Sequence, residues 1–192
     1  MDERFTKQIA FLIEIDKIKN IIRRTKLFSS DRRENDAEHS WHLAMMVLIL
    51  SEYSHRNIDI LKVLKMVLIH DIVEIDAGDI LFYNKNAAVK DKEIAAAERI
   101  FGLLPEEQKR EYISLWAEFE EKKTPEAAFA AAVDRLEPIL QNYLAEKSVW
   151  AENNISAERL LEANRHIGNG SEKLWEYAEG LILECRENGL IS

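Results

Sequence analysis

Glycine and proline are scarce in this chain, with only six glycines and three prolines among 192 residues. These two residues are the strongest local breaks in regular secondary structure. The long segments between them carry apolar residues at helical spacing, and no stretch shows the convincing period of two that is typical of a half-buried strand. The sequence therefore predicts an all-α protein, folded as a single helical bundle over residues 1–192.

Apolar periodicity and capping residues predict eight helices. Their ranges are 2–23, 36–53, 58–75, 88–103, 105–122, 125 to beyond 142, 156–166 and 171–188. A polar and basic stretch, residues 24–35, separates the first two helices. In the first helix the apolar residues that recur on one side are Phe5, Ile9, Leu12, Ile13, Ile18 and Ile22.

Residues with strong capping preferences mark the ends of three predicted helices. Thr124 is the predicted N-cap of the sixth helix, because a proline and an acidic residue follow it directly. Ser156 and Ser171 are the predicted N-caps of the last two helices. We expect those two helices to stop at Gly168 and Gly189, since glycine readily adopts the backbone conformation that ends a helix.

Acidic residues outnumber basic ones by 35 to 26, which gives a formal net charge of -9. Nucleic acids bind to basic surfaces that displace their counterions, so this charge argues against broad nucleic-acid binding. A small anionic ligand is compatible with it only if a metal ion or a local basic cluster offsets the negative field. The expected partner is therefore a small molecule.

Cysteine content and apolar runs bear on the compartment. The single cysteine, Cys185, has no partner for an internal disulfide, and its amphipathic surroundings predict a buried, inert thiol. The amino terminus lacks the basic and then apolar layout of a secretory signal. The longest apolar run, residues 43–50, is too short to cross a bilayer. We expect a cytoplasmic protein without a membrane span.

The most informative local string is His70-Asp71-Ile72-Val73-Glu74, followed by Gly78-Asp79. On a helix, His70 and Glu74 lie four residues apart and Asp71 and Glu74 three apart, so these side chains can point toward one neighbourhood. An imidazole beside carboxylates suits a divalent cation. A polar helix end with solvated acids is the more common explanation of an isolated His-Asp pair, so further ligands are needed.

Two other segments offer such ligands. His39 lies at the start of the helix that carries an apolar run into the core, where it can face the same site; His42 lies three residues further on. Both histidines can also be hydrogen-bonding residues without a metal. Asp134 follows a run of small apolar residues, and its buried charge requires compensation by Arg135, by solvent or by a cation.

Taken together, these residues resemble the HD superfamily, in which a distant histidine, an adjacent His-Asp pair and a later aspartate bind one metal. The matching residues are His39, His70, Asp71 and Asp134. The fuller pattern of Glu38-His39-Ser40, the His70 string and Gly78-Asp79 is similar to the branch that contains bacterial 5'-deoxynucleotidases and HD domain-containing protein 2. The resemblance covers about residues 15–144, the expected metal-binding core, with a weaker match in the carboxyl-terminal helices, 156–188.

The resemblance implies hydrolysis of deoxyribonucleoside 5'-monophosphates with one divalent metal ion, such as cobalt or manganese, or zinc, nickel or iron. Glu74 and Asp79 fall on the acidic positions that the branch uses for catalysis, and Arg24 falls on a substrate-contacting arginine. His42 matches no ligand position and is assigned no metal role. Thr25 stands where the bacterial enzymes have a tryptophan implicated in sugar selectivity, so deoxyribose preference is less firmly implied than phosphomonoester hydrolysis.

The chain is expected to assemble as a homo-oligomer, specifically a dimer.

Other functions share the same metal-binding pattern. The HD core also serves hydrolysis of other nucleotide phosphoesters, and a helical regulatory module can retain the metal without turnover. The presence of both Glu74 and Asp79 favours an enzyme over such a module.

Overall fold

The computed structural model describes residues 2–79, 87–145 and 148–192. Most of the described chain is α-helical, which confirms the all-α prediction. The helices are α1 (Glu3–Ile15), α2 (Asp36–Leu50), α3 (Ile60–Ile69), α4 (Glu74–Ala77), α5 (Ala87–Phe101), α6 (Glu106–Glu121), α7 (Pro125–Leu144), α8 (Val149–Glu152), α9 (Ala157–Asn164), α10 (Ile167–Gly170) and α11 (Glu172–Glu187). Short 3-10 turns cover Asp16–Asn20 and Ser51–Tyr53.

The first helix is shorter than predicted. It ends at Ile15, and the chain then makes a 3-10 turn and enters a two-stranded antiparallel ribbon of β1 (Ile22–Lys26) and β2 (Arg33–Asn35). The prediction of helix through residue 23 was therefore wrong, and the polar stretch 24–35 contains strand residues that the sequence did not predict. The strands are short and largely charged, so their alternation of exposed and covered residues leaves no apolar pattern in the sequence.

The apolar side of α1 is largely exposed. Phe5, Leu12 and Ile13 are each more than half exposed, whereas Phe11 is the buried residue of this helix. Phe11 packs against Phe101 and Tyr112, which come from α5 and α6. The periodicity identified a helix correctly but the wrong packing side, since Phe11 is not one of the recurring apolar residues.

The predicted helix 58–75 is divided by a turn. Helix α3 ends at Ile69, residues 70–73 form turns, and the single-turn helix α4 begins at Glu74. The backbone N–H of Ile72 donates to Ile69 and that of Glu74 donates to Asp71, so the hydrogen bonds tighten to three-residue spacing. The turn changes the direction of the chain directly after the apolar helix α3, at the ionisable residues His70, Asp71 and Glu74.

The capping predictions are confirmed. The side chains of Thr124, Ser156 and Ser171 each accept a hydrogen bond from a backbone N–H in the first turn of α7, α9 and α11. Gly189 has a φ of 71° directly after α11, as expected for a helix stop. Gly168 was wrongly expected to be a stop, since it lies inside the short helix α10.

Helix α7 lies at the centre of the fold and packs against α2, α3, α6, α10 and α11. Its alanines bring the neighbouring helices close, most closely at Gly170 of α10. A Cβ on Gly170 would overlap the carbonyl oxygen of Ala128 and lie 2.8 Å from Cα of Phe129. Cys185 of α11 is buried, as predicted. Among the described helices, none combines the length and the apolar character that crossing a lipid bilayer requires.

Candidate metal centre

Helix α2 holds His39 in its first turns. The start of this helix is fixed by a reciprocal cap, in which the Asn35 side chain accepts from the N–H of Glu38 and the Glu38 carboxylate accepts from the N–H of Asn35. His39 lies one residue after this cap and is fully buried. The position of its imidazole is therefore set by local sequence as well as by packing.

The other three predicted ligands converge on His39. His70 is the C-cap of α3, Asp71 lies in the following turn, and Asp134 lies in the middle of α7. Nε2 of His39 lies 3.1 Å from Oδ1 of Asp134 and 4.0 Å from Oδ2 of Asp71. Nε2 of His70 lies 3.0 Å from the same Asp71 oxygen and 3.5 Å from the same Asp134 oxygen. A ring nitrogen of each histidine and a carboxylate oxygen of Asp71 thus lie within 4.8 Å of one another, and Asp134 contacts both nitrogens from α7.

The orientation of His70 suits a cation better than a hydrogen bond. Its Nδ1 lies 3.0 Å from the carbonyl oxygen of Val67, which can only accept, so Nδ1 carries the proton. Nε2 is buried and, although it is 3.0 Å from Asp71, the direction is too poor for a hydrogen bond. A buried imidazole nitrogen without a hydrogen bond to the described chain fits a divalent cation at this point.

The charges of the four groups are strongly linked in the metal-free chain. Burial lowers the pKa of His70, but Asp71 and Asp134 outweigh this effect and raise that pKa to about 10. Burial likewise opposes the charge of Asp134, yet its contacts with His39 and His70 hold its pKa well below the usual value. Without a metal, protons on the imidazoles therefore balance the buried carboxylates.

Arg23 enters the centre, which the sequence did not indicate. Its Nη1 lies 2.7 Å from Oδ2 of Asp71 and 3.1 Å from Oδ1 of Asp36, and its Nε lies 3.4 Å from Oε1 of Glu34. Neighbouring side chains alternate across β1, so Arg24 is instead exposed and lines the adjacent pocket. The sequence did not predict strand β1. Because the strand decides which of the two arginines turns inward, the sequence could not identify Arg23.

Glu74 and Asp79 lie beside the four residues rather than among them. Glu74 is buried at the start of α4, and its Oε2 has no hydrogen-bond partner in the described structure. Burial, together with the charges of Asp71 and Asp36, raises the pKa of Glu74 to about 11 in the metal-free chain. Asp79 lines the same pocket as Glu74. The two acids are therefore available for proton transfer at the edge of the centre.

A pocket of about 250 Å³ opens onto the centre. Its inner end contains His70, Asp71 and Asp134. Basic side chains from three segments also line it, namely Arg23, Arg24, Lys122 and Arg135. Apolar side chains contribute as well, namely Phe119, Pro138, Val149, Trp150 and Ile155, beside the polar side chains of Thr25, Glu120 and Asn142. Candidate metal ligands, basic groups and apolar groups in one pocket together suit a phosphorylated small molecule with a flat or apolar part.

Glu137 contacts His39 from the side opposite the pocket. Its Oε2 lies 3.2 Å from Nδ1 of His39, its Oε1 lies 3.1 Å from Nδ1 of His42, and Nε2 of Gln141 donates to the same Oε1 at 2.7 Å. The contacts with both histidines and Gln141 outweigh burial and hold the pKa of Glu137 at about 2. Sequence reasoning missed Glu137; its one-turn spacing from Asp134 was the available signal.

The fold and the site together define a class of protein. It is a helical protein in which two histidines and two aspartates from separate segments cluster as a candidate metal centre. The family model described as "HD domain" matches residues 15–175. The chain therefore belongs to the HD-domain family, and the resemblance inferred from the sequence is confirmed.

Curated relatives carry a common name. The 5'-deoxynucleotidase HDDC2 of Dictyostelium discoideum is 31% identical over 69% of this chain and 74% of its own length. The protein of the same name from Xenopus laevis is 29% identical over 69% of this chain and 66% of its own length, and that from Danio rerio is 27% identical over 86% and 92%. The matched segment thus spans about two thirds or more of these relatives.

Solved structures share the fold. A crystal structure described as a predicted metal-dependent phosphohydrolase from Magnetospirillum magnetotacticum MS-1 is 43% identical, with a TM-score of 0.94 over 100% of both chains. A Pyrococcus horikoshii protein is 26% identical, with a TM-score of 0.66 over 92% of this chain and 96% of its own. The arrangement of helices described above is therefore one that this family also adopts in crystals.

Proposed function

We propose that this protein is a metal-dependent 5'-nucleotidase that hydrolyses deoxyribonucleoside 5'-monophosphates to the deoxynucleoside and phosphate. One observation carries the proposal: Nε2 of His39 and of His70 cluster with a carboxylate oxygen of Asp71 and of Asp134 beside a pocket that four basic side chains line. The names of the relatives supply the substrate class.

His39, His70, Asp71 and Asp134 would hold one divalent ion. Two imidazole nitrogens and two carboxylate oxygens suit a divalent transition metal. Cobalt and manganese are proposed first because the family resemblance implies them, with zinc, nickel and iron as alternatives. When bound, such an ion acidifies water and polarises a phosphoryl oxygen. The carboxylates balance its charge within a buried site, where unpaired aspartates would be costly.

The basic wall of the pocket is proposed to bind the phosphate. Arg24 lines the pocket from β1, and an arginine fork matches two phosphate oxygens. Arg23 is committed to Asp71 and Asp36, so it would act mainly by fixing Asp71. Thr25 also lines the pocket, at the position relevant to sugar selectivity. The apolar wall with Trp150 is the proposed contact for the nucleoside.

Glu74 and Asp79 are proposed to move protons. A general acid or base must lie within hydrogen-bond reach of the reacting oxygen, directly or through one water. Glu74 is the nearer of the two to the centre, since it faces Asp36 and Asp71. It would hold the attacking water or protonate the departing 5' oxygen, with Asp79 taking the complementary role.

The deciding experiment is a phosphate-release screen over nucleoside and deoxynucleoside 5'-monophosphates. It uses Co²⁺, Mn²⁺, Zn²⁺, Ni²⁺ and Fe²⁺ separately, with a chelator as control. Metal-dependent, chelator-sensitive release from deoxynucleoside monophosphates is expected. Release only from cyclic nucleotides or nucleoside triphosphates would favour another phosphoester, and metal binding without any release would favour a regulatory module.

Residues 1–192 are proposed to form one domain, and the protein is proposed to be a cytoplasmic homodimer. Support for the dimer comes from α2, which has no charged residue after Glu38 and exposes Trp41, Met45, Leu48 and Ile49. Large apolar side chains that are exposed together on one helix often mark a contact surface for another protein chain. An uncharged apolar surface can pack on its own copy without burying an unpaired charge. The molecular mass in solution tests this assignment directly.

A further inference from the structure

The edge of the His39 ring that faces away from the pocket contacts a hydrogen-bonded cluster that the proposed chemistry does not use. The cluster consists of Glu137, His42 and Gln141 around His39. Glu137 is fully buried, and a buried carboxylate must be compensated by hydrogen bonds or by charge. Its position between two histidines indicates that it acts on them.

The contacts of Glu137 determine which nitrogen of His39 faces the pocket. A carboxylate only accepts hydrogen bonds, so the contact of 3.2 Å with Nδ1 places a proton on that nitrogen. Nε2 faces a carboxylate as well, since it lies 3.1 Å from Oδ1 of Asp134, so both nitrogens of the metal-free ring can carry a proton. A cation bound beside Asp71 and Asp134 would replace only the proton on Nε2, because Glu137 retains the one on Nδ1. Since metal ions bind the unprotonated nitrogen, the same contact favours coordination through Nε2.

Glu137 is itself fixed from two sides. Its Oε1 accepts from Nδ1 of His42 and from Nε2 of Gln141, which lies one helical turn further along α7. The Gln141 Oε1 in turn accepts from the backbone N–H of Phe28 at 2.9 Å. A continuous chain of hydrogen bonds therefore joins the segment after β1, which borders the pocket, to the inner side of His39.

We propose that Glu137 is a positioning residue, which fixes His39 in the orientation and tautomer that present Nε2 to the metal. The inference rests on the proposed metal centre and extends it to a residue that does not touch the ion. His42 serves as a second anchor for Glu137 and not as a ligand, because its Nδ1 is committed to the same carboxylate. Loss of such an outer carboxylate typically weakens metal affinity by about 10- to 100-fold.

If Glu137 were instead a ligand of a second metal ion, the protein would bind a different number of ions. Glu34, His39 and Glu137 also lie close enough to hold an ion among themselves, and Oε1 of Glu34 is buried without a hydrogen bond to the described residues. In that arrangement His39 would bridge two ions. The protein would then bind two equivalents of metal, whereas a positioning role for Glu137 predicts one.

The test measures Co²⁺ binding to the full chain by competition with a chromophoric chelator, together with the visible absorption spectrum of the bound ion. The variant is Glu137→Gln, which keeps the size of the side chain and removes its charge. Glu184→Gln is the matched control, because Glu184 lies on α11, far along the chain from the proposed ligands, and accepts a hydrogen bond from Tyr143. We expect one equivalent in the parent, about 10- to 100-fold weaker binding and a changed spectrum in Glu137→Gln, and neither change in the control.

Each other outcome is decisive. Parent-like affinity and spectrum in Glu137→Gln would overturn the positioning role while leaving the metal centre intact. If the parent bound two equivalents of Co²⁺ and Glu137→Gln bound one, the two-ion arrangement would replace the positioning role. Absence of binding by the parent for Co²⁺, Mn²⁺, Zn²⁺, Ni²⁺ and Fe²⁺ alike would instead reject the proposed function, and the positioning role with it.

A second measurement covers the case in which Glu137→Gln fails to fold. Nitrogen-15 spectra of the histidine side chains in the parent, loaded with diamagnetic Zn²⁺, report the tautomer of each ring. We expect His39 to carry its proton on Nδ1 and to bind the ion through Nε2. A His39 ring protonated on Nε2 would overturn the proposal without any variant.

Discussion

His39 and Asp134 are separated by 95 positions in the chain, yet Nε2 of the histidine lies 3.1 Å from Oδ1 of the aspartate. The contact joins the first turns of α2 to the middle of α7. It depends on the packing of those two helices and on the capping box of Asn35 and Glu38, which ends one residue before His39. The proposed metal centre is therefore a product of helix packing, and substitutions within it are expected to affect metal binding more than folding.

Asp71→Asn is expected to abolish metal binding or weaken it severely, and turnover with it. A neutral amide oxygen is a weaker ligand than a carboxylate, and Arg23 would lose its anionic partner at 2.7 Å. Metal content after dialysis and the rate of phosphate release measure the effect. Asp16→Asn is the control, since Asp16 is exposed and forms an ion pair with Lys19 at the surface. Unchanged metal content in Asp71→Asn would remove Asp71 from the site.

Glu74→Ala is expected to retain the metal and lose most phosphatase activity, by about 10²- to 10⁴-fold. Glu74 is buried beside the four proposed ligands without being one of them, so its loss affects proton transfer more than coordination. Glu74→Gln, which leaves no cavity, should show a similar loss. Metal content and phosphate release are measured together in both variants.

His42→Ala is the contrasting case and should leave activity largely intact. His42 contacts Glu137 from a half-buried position, and Gln141 still donates to the same carboxylate oxygen when His42 is removed. The same two assays apply. A parent rate in Glu74→Ala combined with metal loss in His42→Ala would show that both the ligand set and the acid/base residue had been misassigned.

His166 is expected to make the metal-free protein less stable as the pH falls below neutrality. Burial, with Lys122 and Arg135, outweighs Asp134 and lowers the pKa of His166 from 6.5 to about 4. Between these values the unfolded chain binds more protons than the folded one, so stability rises with pH from about 4 to 6.5. Allowing for partial exposure, the contribution is about 1 kcal/mol.

The measurement is the difference in Tm between pH 7 and pH 5, with a chelator present. For a chain of this size, about 1 kcal/mol corresponds to a change of roughly 2–4 °C. His166→Gln should reduce the pH-dependent difference by that amount, because glutamine does not titrate. An equal pH dependence in parent and variant would contradict the assigned cause.

Two glycine substitutions should have opposite effects on the free energy of unfolding. Gly170→Ala places a Cβ against the backbone of α7 at Ala128, so overpacking is expected to destabilise the protein by about 1–3 kcal/mol. Gly180 lies inside α11, and the space that a Cβ would occupy there is open in the described part of the chain. Gly180→Ala should therefore stabilise by roughly 0.5–1 kcal/mol. Urea denaturation compares the two, and a stabilising Gly170→Ala would mean that α10 can move away from α7.

Sequence alone determined the elements whose signals are local. Apolar periodicity located the long helices, and the capping preferences of Thr124, Ser156 and Ser171 fixed three helix starts, because each cap accepts a hydrogen bond from a backbone N–H three positions further along the chain. The His70-Asp71 pair was likewise recognisable because its two members are adjacent. Family membership followed from that pair and its spacing to other acidic and histidine residues.

Tertiary structure alone decided which polar side chains meet. The β1–β2 ribbon forms between charged segments, and its alternation turns Arg23 inward and Arg24 outward. Glu137 contacts His39 only because α7 crosses α2, a pairing about a hundred residues apart in sequence. Such contacts leave no periodic signal, since each involves one residue from each helix. The sequence could therefore predict ligand types for a metal, while their geometry and the residues that support them depend on packing between distant segments.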